Sequence, residues 1–382
     1  MATTLQVAPV SIRVQWTPAR KALALALGFR FFYSFFAAVA SSWLRLDPGL
    51  IQSNSLTNRL MNRDSHPVLY ALLGVWERFD TLWYMQISRH GYDSPAATVF
   101  YPLYPGLIRG ISFITHSDLA AALTISTGAS FFLCWGALRL FELDYSADIA
   151  LRAVLLWMVW PASFAFFAGY PDSLLCALTI WAIYFARSSR WLPAGALGLL
   201  AGSTKAVGCF TALPLLWIAW KKRERSGLIA AVMCVAGVAS YQVWLAFNRF
   251  PPAAQVYKVF WATSTVAPWT SLGEAIRALA RSGDRLLLLN LGVFAVVGVA
   301  ALMRPVRTEY KIYAIAAMCL FLTKHTQPLL QSTSRYSLTL FAAYPVLSAR
   351  LNAGLSFACL VLICAVVNLF LFLTFLEWGL VI

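Results

Sequence analysis

The sequence predicts an all-α integral membrane protein of about ten to eleven transmembrane helices, with a long first extracytoplasmic loop that carries short interfacial helices. Three observations predict it. The 382-residue chain is 60% hydrophobic and only 12% charged, with a mean hydropathy of +0.70, whereas soluble proteins carry roughly 25% charged residues. Its apolar residues gather in runs near 22–42, 119–138, 153–168, 173–186, 192–203, 207–220, 227–247, 286–303, 312–323, 336–349 and 353–376. Its basic residues fall mostly in the short stretches between those runs, as the positive-inside rule expects. No repeat, low-complexity tract or soluble domain interrupts the pattern, so residues 1–382 read as one domain.

The first run, 22–42, has no small-residue cleavage site after it and reads as a retained helix rather than a signal peptide. Placing Arg13, Arg20 and Lys21 in the cytoplasm lets the other loops alternate. Arg139/Arg152, Arg187/Arg190, Lys221–Arg225, Arg304/Arg307/Lys311 and Arg350 then also lie inside. Left outside are 43–118, the turn Gly169-Tyr-Pro-Asp-Ser173, a break at Lys205, a second loop at 248–284, and Lys324 to Arg335, together with all four histidines. Several runs are shorter than the roughly 20 residues of a full span. The pair 192–203 and 207–220 reads as two short helices meeting near one face, interrupted by Ser203-Thr-Lys-Ala-Val-Gly208. One segment resists the scheme. If Phe100 to His116 crossed the membrane, every later loop would flip, so it reads as interfacial or re-entrant, aided by Pro102 and Pro105.

The net charge of +15 and pI near 9.8 raise the question of nucleic acid, but no basic, aromatic-interleaved soluble domain exists to bind it. The seven cysteines all sit in apolar runs without a C-x-x-C pair, which leaves disulfide frameworks and zinc sites unsupported. No Walker A, G-x-S-x-G, H-E-x-x-H or D-x-D motif is present. No metal ligand set and no cofactor is read from the sequence, and the metal requirement stays open.

The residues able to carry chemistry lie in the polar breaks. In Arg78-Phe-Asp-Thr-Leu-Trp-Tyr-Met-Gln-Ile-Ser-Arg-His-Gly-Tyr92 a carboxylate stands among aromatics with cations nearby. Asp80 has two compatible readings. As a favoured N-cap it would start a short helix over 81–88 that ends at Gly91. As a general base, partly desolvated by Phe79, Trp83 and Tyr84, it would take a proton from an acceptor hydroxyl. Asp172 reads either as a helix cap or as a second carboxylate facing the same cavity. Lys205 and Arg335 stand between apolar runs on the expected outer face, where no inside bias explains them, and Lys324 and His325 share that position. Such cations suit a lipid phosphate whose oxygen gains charge as a bond to a sugar breaks, or contact with lipid headgroups. Arg78, His90 and Tyr101 belong to the same candidate set. Tyr101, Tyr104, Trp261 and Trp269 read as sugar-stacking groups or as an interfacial belt.

Taken together, these residues resemble the PIG-V-type mannosyltransferases, a family of the multi-spanning GT-C glycosyltransferases. Arg78-Phe-Asp-Thr-Leu-Trp-Tyr…His90-Gly-Tyr92 is similar to that family's R-W-D-x-x-W/H-[FY]…x-G-Y loop, and Phe100-Tyr-Pro-Leu-Tyr-Pro-Gly-Leu-Ile-Arg109 to its F-F-P-x-[YF]-P-x-x-I-R. Pro161-Ala-Ser-Phe…Tyr170-Pro-Asp-Ser-Leu174, Ser203-Thr-Lys-Ala-Val-Gly208 and Ser334-Arg-Tyr336 resemble P-T-x-F…Y-[TS]-E-S-L, L-T-R-x-x-G and P-R-Y. Each motif is weak alone; five in one order are more specific. The resemblance implies inverting transfer of a sugar, mannose by analogy, from a polyprenyl-phosphate donor to a glycolipid or other outer-face acceptor, with Asp80 as base and Asp172 in the place of a glutamate. It also implies a multi-pass protein of a cell inner membrane or the endoplasmic reticulum, with an extracytoplasmic or lumenal active site. Phe79 replaces Trp, Asp172 is a methylene shorter than Glu, and Lys205 lacks Arg's bidentate fork. The competing expectations are a transporter or flippase, a non-catalytic partner subunit and a lipid phosphotransferase.

Overall fold

The computed structural model describes residues 16–44, 49, 51, 56, 60–351 and 353–379; Arg13, assigned above to the cytoplasm, lies outside them. Among the described residues are 17 α-helices and one two-stranded ribbon. In chain order the helices are α1 (Pro18–Ser41), α2 (Pro67–Leu72), α3 (Asp80–His90), α4 (Leu103–Thr115), α5 (Asp118–Phe141) and α6 (Ala147–Val159). Then come α7 (Asp172–Arg187), α8 (Trp191–Thr204), α9 (Ala212–Lys222), α10 (Ser226–Phe247), α11 (Ala253–Phe260) and α12 (Pro268–Ser282). The last are α13 (Arg285–Leu302), α14 (Thr308–Leu322), α15 (Thr333–Tyr336), α16 (Ala343–Arg350) and α17 (Leu355–Leu376). In the ribbon, β1 (Ser264–Thr265) pairs antiparallel with β2 (Lys324–His325).

Helix starts follow local chemistry. Thr17 accepts from the Arg20 N–H at the head of α1, with Pro18 in the first turn. Ser117, Ser146 and Asp284 do the same for α5, α6 and α13. α5 also carries Asp118 in its first turn and Arg139 in its last, matching the helix dipole at both ends.

Among the described residues five helices, α1, α5, α10, α13 and α17, are long and apolar enough to cross a membrane. The others named by the hydropathy runs are shorter. α6 to α9 and α14 hold 11 to 16 residues, or about 17–24 Å, against a hydrocarbon core of about 30 Å. The run 153–168 stops being helical at Val159, because the residue before Pro161 disfavours the α region and Ala162 turns left-handed at φ +68°. The run 336–349 is likewise broken: a single turn of α15 and a 3-10 turn at Ser337–Thr339 precede α16. The segment 100–116 becomes the 13-residue α4, about 20 Å long. It forms a hairpin with α5, where the Tyr104 hydroxyl meets Ser126 Oγ at 2.7 Å and the Ala122 carbonyl at 3.1 Å.

The breaks between short helices occur at one end of the bundle, and the basic loops gather at the other. Asp144 accepts from Arg187 at 2.7 Å and from Arg307 at 3.4 Å, Lys222 donates to the Arg187 carbonyl, and Arg350 to that of Arg304. Arg187 and Asp172 stand at opposite ends of α7, about 22 Å apart. α8 and α10 are held close by small residues: a Cβ on Gly237 would lie 2.1 Å from the Leu199 carbonyl oxygen. That contact sets the end of α8, and with it Lys205, against α10.

Candidate active site

Asp172 begins α7 and is brought to its place by a buried polar knot. Asn368 on α17 donates to Tyr33 Oη on α1 (2.5 Å) and to Ser163 Oγ (3.1 Å), which fixes the irregular segment 160–171 before it. Ser173 Oγ then donates to the Ser126 carbonyl at 3.1 Å, eight residues into α5. The site therefore lies about 12 Å below the end of that helix, and α3, α4 and residues 95–101 form the walls above it. Tyr241 donates to the carbonyls of Thr98 and Phe100, Gln242 to Tyr101 Oη, and Trp261 to the Ala96 carbonyl, which together pin the 95–101 wall.

Asp80 reaches the same place from α3. The sequence expectation of an N-cap is corrected: Asp80 is the first helical residue, and Phe79 occupies the cap position without a side-chain hydrogen bond. Phe79 sits at φ +47°, a strained backbone state for a bulky residue, and is held there by Phe375 and Trp378 at ring distances of 5.7 and 5.5 Å. The cap is lost because the Asp80 carboxylate points instead to Arg335 Nη2, 2.9 Å away. Gly169 permits this approach. A Cβ there would stand 2.5 Å from Thr81 Cγ2, so Gly169→Ala should push α3 away from α7. The expected cost is about 1–3 kcal/mol of stability, with Thr81→Ala recovering most of it; thermal unfolding of both variants checks this.

The result is a chain of ion pairs: Asp80 to Arg335 at 2.9 Å, Arg335 Nε to Asp172 at 3.9 Å, and Asp172 to Lys205 at 2.8 Å. Burial by itself would depress the Arg335 guanidinium, but Asp80 and Asp172 beside it hold it well above its ordinary pKa, so it stays charged. The two carboxylates differ in access: the Asp80 side chain is 23% exposed and that of Asp172 only 2%. Lys324, set by the ribbon, faces the same cavity but enters no ion pair among the described residues. Its ammonium instead lies 5.1 Å from the ring centres of both Tyr257 and Tyr336. Lys205 and Arg335 also approach the Tyr336 ring, at 6.0 and 5.6 Å.

The cavity these groups line has a volume of about 470 Å³, and Trp83, Tyr84, Phe100, Tyr101 and Trp261 add aromatic wall. Of the sequence-derived candidates, Asp80, Trp83, Tyr84, Tyr101, Asp172, Lys205, Lys324 and Arg335 all line it. Three do not. Arg78 is buried and spends its donors on the carbonyls of Leu376 and Glu77 and on Tyr70 Oη, under the Trp378 ring. It clamps the loop to the end of α17. His90 lies ten residues beyond Asp80 on α3, about 15 Å along the axis. His325 turns to Glu274 on α12, 2.6 Å away, because neighbours in a strand point to opposite faces. Trp269 is exposed on α12 and Tyr104 is buried; neither is a cavity wall. Tyr257 and Tyr336 were missed as site residues. For Tyr336 the signal was its place beside Arg335; for Tyr257 no local pattern marks it.

No protein-family model matches the chain, and a search of the curated proteins finds no similar sequence.

Proposed function

We propose that the chain is an inverting glycosyltransferase of the GT-C type, which moves a sugar from a polyprenyl-phosphate donor to a lipid-linked or outer-face acceptor. The observation that carries the reading is the charge of the cavity. Asp80 and Asp172 are balanced by Arg335 and Lys205, and among the described residues Lys324 remains without a carboxylate. One surplus positive charge in a buried, aromatic-walled cavity suits a singly charged phosphodiester. A diphosphate would bring at least one more charge.

In this reading the acceptor hydroxyl attacks the anomeric carbon from the Asp80 side and gives its proton to that carboxylate. The bond from carbon to phosphate oxygen breaks on the opposite face, and the electron pair leaves with the phosphate. The leaving group thereby gains charge, which Lys324 and Arg335, both lining the cavity, would stabilise. Asp172 holds Lys205 and steadies Arg335. Asp80 is preferred as base because it is the accessible carboxylate. Mannose as the sugar rests on the sequence resemblance alone; the count of ten to eleven spans rests on the apolar runs of the sequence, and the shorter helices around the cavity would contribute to it.

The decisive experiment supplies the purified protein with labelled polyprenyl-phosphate mannose and a membrane lipid extract. Labelled glycolipid and free polyprenyl phosphate are expected. A labelled donor that crosses vesicles intact, with no bond cleaved, would overturn the reading in favour of a transporter, which the recessed cavity and the broken pair α8/α9 would also suit.

The orientation proposed is a cytoplasmic basic end and an extracytoplasmic or lumenal cavity. In a cysteine-free background, Asp93→Cys should be labelled only from outside and Glu224→Cys only from inside. Labelling of both from one side would show that α4 spans.

A further inference from the structure

A second opening lies on the flank of the bundle, on the far side of α7 from the catalytic cavity. It is a groove of about 800 Å³ between the first turn of α1 and helices α5, α7 and α8. Phe132, Trp135, Trp181 and Leu197 form its apolar walls, and Arg139 and Arg190 stand at its basic end. Arg139 donates to Tyr184 Oη at 2.9 Å and lies 5.6 Å above that ring. Arg190 lies 5.7 Å above the ring of Phe185. Among the described residues neither guanidinium enters an ion pair, although Arg187, three residues before Arg190, is committed to Asp144.

We infer that this groove is a binding site for an anionic glycerophospholipid, with one acyl chain along the Trp135–Trp181 wall and the phosphate received by Arg139 and Arg190. The charge complementarity decides the occupant. A guanidinium has five donors in a planar fork, and Arg139 uses one on Tyr184. Phosphate oxygens would take up the remainder with charge-assisted hydrogen bonds. Two guanidiniums without a carboxylate at the mouth of an apolar groove attract a net negative headgroup. A zwitterionic one would bring its own cation against them. The distance from Ala129 to Arg139 along α5 is about 15 Å, enough to shelter most of one leaflet's chain region. Because Thr17, Pro18 and Ala19 form one wall, the lipid ties the start of α1 to α7 and α8. The site is independent of the proposed transferase reaction.

The test uses the full chain in detergent, with phosphatidylglycerol or phosphatidylcholine of matched chains added, read by native mass spectrometry and thermal unfolding. Phosphatidylglycerol should be retained as a discrete adduct and raise the unfolding temperature more than phosphatidylcholine does. Arg139→Gln with Arg190→Gln should lower phosphatidylglycerol retention at least tenfold and leave phosphatidylcholine unchanged, while Arg139→Lys should keep most of the preference. Leu197→Trp fills the groove with both arginines intact and should displace the adduct. Equal retention of the two lipids by the unaltered protein would overturn the site. So would a preference that survives the double Gln variant or the Trp filling.

Discussion

Asp80→Asn is expected to lower sugar transfer by roughly 100-fold or more, the scale of a lost general base, with the fold intact. The structure makes this substitution a clean one. Asp80 caps no helix, so the amide costs α3 only the charge–dipole interaction of its first turn, about 0.3–1 kcal/mol. Asn retains an oxygen able to accept from Arg335, whose second carboxylate neighbour, Asp172, stays in place. What disappears is the one accessible group in the cavity able to take a proton. Therefore kcat should fall while donor binding does not weaken, because the cavity gains net positive charge, and the thermal unfolding curve should stay within a few degrees. Asp172→Asn should behave differently: it leaves Lys205 without its partner and Arg335 with one carboxylate, and breaking a buried pair costs about 3–5 kcal/mol. Turnover near the normal value in Asp80→Asn would end the assignment of Asp80 as base.

Lys324→Gln and Arg335→Gln are the second pair with a large expected effect. Losing one charge-assisted contact to a departing phosphate costs roughly 2–4 kcal/mol of transition-state stabilisation, a fall of roughly 30- to 1,000-fold in kcat/KM for the donor. Arg335→Gln will also destabilise the protein, because it strips Asp80 and part of Asp172 of their counter-charge. Lys324→Gln separates the two effects. Among the described residues its ammonium touches tyrosines and no carboxylate, so donor use should fall while the unfolding temperature holds. Lys205→Arg should retain activity, since either cation can answer Asp172. Wild-type donor kinetics in Lys324→Gln would mean that the surplus charge does not meet the phosphate, and the charge argument for the substrate would fail with it.

Much of the cavity was legible before any fold was known, for a reason particular to membrane chains. In a sequence this apolar, an ionisable residue at a break between runs is costly and conspicuous, so Asp80, Asp172, Lys205, Lys324 and Arg335 stand out one by one. Arg78 and His325 stood out equally and misled, because exposure of a break to the lipid–water boundary does not say which way a side chain points. The strand alternation at Lys324–His325 and the clamp of Arg78 onto α17 are tertiary facts. So is the use of Tyr336 as a common aromatic platform under three cations.

The sequence by itself determined the helical class, the membrane character and the short list of charged residues, because each follows from local composition and from the free energy of burying charge. Only the tertiary structure decided how those charges are matched. The pairing of Asp80 with Arg335 and of Asp172 with Lys205 joins residues 33 to 255 positions apart. It depends on Gly169 letting α3 reach α7 and on α8 packing against α10. Coulombic attraction between groups so distant in the chain has no local signature, and it is the pairing, rather than the list, that leaves Lys324 as the cation available to a substrate.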